Sequence, residues 1–90
     1  MGWKIHFQKQ PLKELEKMPN EDRERILRAL KILRNNPYDM QRLDTKQLKG
    51  RNRNWRLRVG KYRIIYELFD AQILIDIIKI GSRGDVYKDN

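Results

Sequence analysis

Trp55-Arg56-Leu57-Arg58-Val59-Gly60-Lys61-Tyr62-Arg63-Ile64-Ile65-Tyr66 is the stretch that decides how this chain folds. Apolar and basic residues alternate up to Gly60-Lys61 and resume beyond it, the period of two expected of strands with one buried face. Glycine at the first central position suits a two-residue type II′ hairpin loop. That loop sets Val59 opposite Tyr62, Arg58 opposite Arg63, Leu57 opposite Ile64 and Arg56 opposite Ile65. Trp55, Leu57, Val59, Tyr62, Ile64 and Tyr66 then share an apolar face, and Arg56, Arg58 and Arg63 share the other. Parity puts Trp55 on the core side, which weighs against a base-stacking role. Like charges directly opposite one another destabilise a sheet. Two readings of the arginines follow: a solvated patch, neutralised in part by Asp76 on the next strand, or an anion site. The planar, always-protonated guanidinium fork favours the anion site.

Working outward, a third strand runs from Ile73 to Ile80, separated from Tyr62–Leu68 by Asp70-Ala71 and ended by Gly81-Ser82. Upstream, Arg51-Asn52-Arg53-Asn54 reads as a turn, and Tyr38 to Lys46 as a loop. Near the start, Trp3, Ile5 and Phe7 alternate as a strand face, with His6 on the other side as an ordinary strand residue. Pro11 suits the first turn of a helix, whose apolar stripe is Leu12, Leu15 and Met18, ended by Pro19. Asn20 is the expected N-cap of a second helix, with Glu21, Asp22 and Glu24 in its first turn and Ile26, Leu27, Leu30 and Leu33 as its stripe. Asn35-Asn36-Pro37 stops it. The expected architecture is a single α+β domain over residues 1–90: an N-terminal strand, a helical hairpin on one sheet face, then a three-stranded antiparallel meander.

Ninety residues suffice for one modest core, burying roughly 60–68% of the unfolded surface. There is no cysteine, which excludes a disulfide framework, a thiolate metal site and a Cys nucleophile. Met1-Gly2-Trp3-Lys4 leads into the first strand rather than an apolar segment, so no secretory signal is expected. No apolar run approaches the ~18 residues of a membrane span. The formal charge is +9, which points to a polyanionic partner, and the lack of cysteine and of a secretory signal leads us to expect a cytoplasmic protein. Lys46 to Arg63 contains eight basic residues and no acid. Glycine-rich phosphate loops, nucleophile elbows and HExxH are missing. With one histidine and scattered acids, a bound metal or other cofactor is not expected. Chemistry by this chain would rest on arginine, lysine and tyrosine, which suits phosphoryl transfer.

Leu48-Lys49-Gly50, the Trp55–Tyr66 block with its Gly-x-Tyr-Arg-x-x-Tyr core, and Ile80-Gly81-Ser82-Arg83 with Asp85-Val86-Tyr87 together resemble the RelE toxins of the RelE/ParE superfamily. The likeness covers nearly the whole chain. The central block is common to both branches, while the Gly-x-Arg and Val-Tyr of the C-terminus point to the nuclease branch. The resemblance implies the toxin of a type II toxin–antitoxin pair, a ribosome-dependent endoribonuclease that cuts messenger RNA in the A site without metal. In that chemistry the RNA's own 2′-hydroxyl attacks the adjacent phosphate. Carried over residue by residue, Arg56 and Arg58 match the family's basic pair and Arg63 its phosphate-stabilising arginine. Arg83 would assist the leaving 5′-oxygen, and Tyr87 would orient or deprotonate the 2′-hydroxyl. Lys46, Lys49, Arg51, Arg53 and Lys61 are the expected RNA or ribosome contacts. Some relatives carry lysines where this chain has Arg56 and Arg58, so a tunable base is lacking there. A RelB-like antitoxin, the ribosome and messenger RNA are the implied partners. The alternatives on the same fold are a ParE-like inhibitor of DNA gyrase and a relative that only binds RNA or its antitoxin.

Overall fold

Period-two alternation in the C-terminal half produces the antiparallel meander that the sequence predicts. The computed structural model describes residues 2–50 and 53–82. Strand β1 (Lys4–Phe7) leads into helices α1 (Lys9–Lys17) and α2 (Asn20–Asn35), followed by β2 (Asp44–Gln47), β3 (Asn54–Val59), β4 (Tyr62–Phe69) and β5 (Leu74–Ser82). The five strands form one sheet in the order β1-β5-β4-β3-β2, with β1 parallel to β5 and the other pairs antiparallel.

One strand is added to the expected order. Residues 44–46 lie in the stretch read as a loop, yet together with Gln47 they pair with β3, Asp44 opposite Arg58 and Lys46 opposite Arg56. Asp-Thr-Lys-Gln has no apolar alternation to announce a strand; its hold is the ladder and the buried Thr45. Gly81 and Ser82 do not end the last strand but continue it, opposite Arg63 and Tyr62. Ile73 stands outside β5 in the left-handed region (φ 51, ψ 51), after the 3₁₀ turn Asp70–Gln72. Asn20 is the first residue of α2 rather than its cap. Pro19 holds the cap position with no side-chain bond, and the Asn20 carboxamide oxygen accepts from Arg23 Nη1 instead.

Both helices cover one face of the sheet. Leu15, Met18, Ile26, Leu30 and Leu33 pack on Trp55, Leu57, Ile64, Tyr66, Ile75, Ile77 and Ile80. Leu12 and Leu27, assigned to the apolar stripes, are exposed, because at 100° per residue they sit on the stripe edges. Gly60 takes a positive φ of 57° and Lys61 does not, the sign pattern of a II′ turn. Tyr62 ties the hairpin tip to α2 by donating to Asp22 Oδ2 (3.0 Å).

Between Ile65 and Tyr66 the ladder to β5 shifts by one residue: Tyr66 faces Ile77 while Ile65 faces Lys79. Ile78 is the extra residue of a bulge. Without it Lys79 would sit opposite Ile64, in the core. With it Ile80 fills that place, and Lys79 turns to the face that the helices leave uncovered.

Candidate anion-binding face of the sheet

Cross-strand register assembles the uncovered face row by row, since directly paired residues share a face about 5 Å apart. One row reads Asp44, Arg58, Arg63 and Gly81; the next reads Lys46, Arg56, Ile65 and Lys79. Arg56, Arg58 and Arg63 are therefore neighbours, in the register expected from the hairpin loop. Five cations and one acid occupy these two rows. Arg56 is buried, its side chain only 7% exposed, whereas Arg58 is 38% exposed.

Among the described residues Asp44 is the counter-charge to Arg56 and Arg58. Arg56 Nη2 donates to Asp44 Oδ1 at 3.3 Å, and Arg58 Nε lies 3.5 Å from Asp44 Oδ2. Asp76, the acid of the alternative solvated-patch reading, does not fill that role. It sits farther along the sheet opposite Glu67 and His6, accepting from His6 Nδ1 (2.9 Å) and Gln8 Nε2 (3.0 Å). The parallel pairing of β1 with β5 brings His6 to Asp76, a contact that no local pattern reveals. Asp44 was missed because its strand was, and Lys79 because of the bulge. A signal existed for the latter: Asp76 and Lys79 are three residues apart, out of phase with a regular alternation.

The remaining basic candidates divide. Lys46 belongs to the second row. Lys49 is exposed in the turn after β2. Lys61 lies at the hairpin tip with its Nζ 5.5 Å from the Tyr62 ring centroid, on the helix side of the sheet. Arg53 precedes the opposite end of β3 and stacks over Phe69 at 5.4 Å. Arg51, Arg83 and Tyr87 lie outside the described residues. Trp55 is in the core as parity requires, edge-on to Tyr38 at 5.7 Å.

None of the described tyrosines with a shifted phenol is poised to lose a proton near neutral pH. Burial, the hydrogen bond to Asp70 and that carboxylate's charge push Tyr38 up to about 12. Burial and the bond to Asp22 raise Tyr62, and burial raises Tyr66 well above the usual phenol range. Among the described residues no group of three or more His, Cys, Asp or Glu is placed to hold a metal ion, and no helix is long and apolar enough to cross a membrane. What the face offers is concentrated positive charge on a rigid ladder, suited to binding and polarising a phosphodiester.

A family model described as the ParE toxin of the type II toxin–antitoxin system parDE matches residues 5–87. The chain is 36% identical over 85 residues to toxin RelE3 of Methanocaldococcus jannaschii, spanning 93% of this chain and 94% of that protein. To the mRNA interferase toxin RelE of Escherichia coli strain K12 it is 26% identical over 93 residues, spanning 99% and 94%. Its fold matches a chain of the archaeal RelE–RelB complex from Pyrococcus horikoshii OT3 with a TM-score of 0.83 at 30% identity, covering 94% of this chain and 99% of that one.

Proposed function

From the premise that this chain belongs to the RelE/ParE family of type II toxin–antitoxin toxins, we propose that it is an endoribonuclease that cuts messenger RNA in the ribosomal A site without metal. The observation that carries the reading is the pairing of Arg58 with Arg63 beside Arg56, on the sheet face opposite the helices. A relative spanning nearly the whole chain bears the name mRNA interferase. The 2′-oxygen forms a bond to the adjacent phosphorus, the P–O5′ bond breaks, and the products are a 2′,3′-cyclic phosphate and a 5′-hydroxyl. Arg63 and Arg56 stabilise the negative charge on the phosphorane oxygens. Arg83 assists departure of the 5′-oxygen, and Tyr87 orients or deprotonates the 2′-hydroxyl. Lys46, Lys49, Arg51, Arg53 and Lys61 contact RNA or ribosome. The chain acts in the cytoplasm, as one domain, and is held inactive by a RelB-like antitoxin such as the one in the Pyrococcus complex. Removing one charge-stabilising donor from such a site costs about 10²–10³ in rate, so the arginines can carry much of the acceleration.

Primer extension on a defined messenger in a reconstituted translation system tests this. Cuts inside A-site codons are expected only when ribosomes are present. They should vanish when the nucleotide 5′ of the cut carries 2′-deoxyribose, and a phosphorothioate at the cut should show no rescue by a thiophilic metal. The ParE name of the matching model favours a second reading, inhibition of DNA gyrase. Blocked supercoiling with no cleavage by the folded, antitoxin-free chain would establish that one instead.

A further inference from the structure

Asp44 is the one acid within the two basic rows, and three features of its contacts are unlike a structural ion pair. Its distances to Arg56 and Arg58, 3.3 and 3.5 Å, exceed the 2.7–2.9 Å of a well-made charge-assisted bond. Its side chain is 52% exposed, on a four-residue strand at the sheet edge. The Nε atoms of both arginines are buried yet make no hydrogen bond. Arg58 Nε is within ion-pair distance of the carboxylate but lacks the geometry to donate to it. One carboxylate thus faces two guanidinium groups and leaves a donor on each unused.

We propose that Asp44 occupies, in the free protein, the place of an RNA phosphate between Arg56 and Arg58, so that the nucleic acid binds by displacing this carboxylate. The proposal rests on the reading of this face as an RNA phosphate site. A carboxylate and a phosphodiester both present two oxyanion acceptors, and the phosphodiester can satisfy the Nε donors that Asp44 leaves open. In the free chain the carboxylate relieves repulsion between neighbouring guanidinium groups and fixes their positions. Because it neutralises only one of them, the face keeps its attraction for RNA. Stray anions must compete with an internal one, so Asp44 is a specificity-determining residue that raises the threshold for binding.

The test measures binding of a short, uncleavable 2′-O-methyl RNA oligonucleotide to the antitoxin-free full chain, so it reads affinity without cleavage. Wild type, Asp44→Asn and Glu67→Gln are compared at low salt and at ~0.5 M, where screening removes most long-range attraction. Glu67 is the control, an acid on the same face farther along β4 that makes no hydrogen bond or ion pair with Arg56 or Arg58. Asp44→Asn should bind roughly two- to fivefold tighter at both salt concentrations, the range expected for removing one competing exposed ion pair. Glu67→Gln should show a gain at low salt only. In an Arg58→Ala background the gain from Asp44→Asn should shrink, a coupling that an unconnected charge would not show. Unchanged or weaker binding by Asp44→Asn, in a variant whose thermal unfolding shows it folded, would make Asp44 a brace and overturn the proposal. Asp44→Ser serves as the second variant if the first does not fold. If wild type itself fails to bind the oligonucleotide, the phosphate-site reading falls and takes the proposal with it, whereas binding without the Asp44 effect defeats the proposal alone.

Discussion

Tyr38 shows how a single side chain couples this fold to its surroundings. Its hydroxyl donates to Asp70 at 2.7 Å while its ring packs edge-on against Trp3 and Trp55, so ionisation would set a phenolate against a carboxylate. Its folded pKa, raised to about 12 from 10.0, makes stability depend on pH in one direction. Below pH 10 both folded and unfolded chains keep the proton, and the contribution is fully present. As pH rises from 10 toward 12 the unfolded chain releases its proton while the folded one holds it, and stability falls. Urea unfolding at pH 9, 10 and 11 should show a declining midpoint, with a shallower decline in Tyr38→Phe. At this scale the candidate site was partly legible. Arg56, Arg58 and Arg63 were found because a two-residue loop leaves one register only. That Arg56 is buried, and that Asp44 sits across from Arg58 and reaches Arg56, depends on a neighbouring strand that leaves no pattern in its own residues.

The β3–β4 hairpin is the element on which the site's geometry depends. Gly60 at φ 57° would, with a side chain, be strained and would bring its Cβ within 3.2 Å of Arg25 Nη1. Gly60→Ala is expected to cost about 1–2 kcal/mol in a denaturant titration. The opposite effect is expected at the turn between β4 and β5. Ile73 is a β-branched residue at φ 51° and is 52% exposed, so Ile73→Asn should stabilise by about 1 kcal/mol. Hairpins were readable from the sequence because loop chemistry and alternation agree there. Strand β2 and the Ile78 bulge were not. A four-residue polar edge strand has no periodicity to detect, and a bulge reverses parity through the register of its partner.

For the whole molecule, the division of labour follows from the two sheet faces. Helices cover the apolar side, and the other side runs from the basic rows to the Glu67, Asp76 and His6 end. The α+β class and the single helix-covered face were legible because binary patterning is a property of the entire chain. The parallel β1–β5 pair was not, since nothing local links residues 70 positions apart. A face that binds single-stranded RNA through about 3–5 phosphates should lose affinity with a log–log salt slope of about −2 to −3.5. Fluorescence anisotropy with a labelled oligonucleotide across a salt series measures it, and a slope near zero would remove the electrostatic basis of the site.

The central claim is that the arginines on the uncovered sheet face stabilise a phosphorane during cleavage of ribosome-bound messenger. Its most direct test is single-turnover cleavage of an A-site codon by Arg63→Ala beside wild type, with circular dichroism and thermal unfolding confirming the fold of both. A rate reduced about 10²-fold or more in a variant that still folds is the predicted result. Cleavage by Arg63→Ala at the wild-type rate would contradict the account.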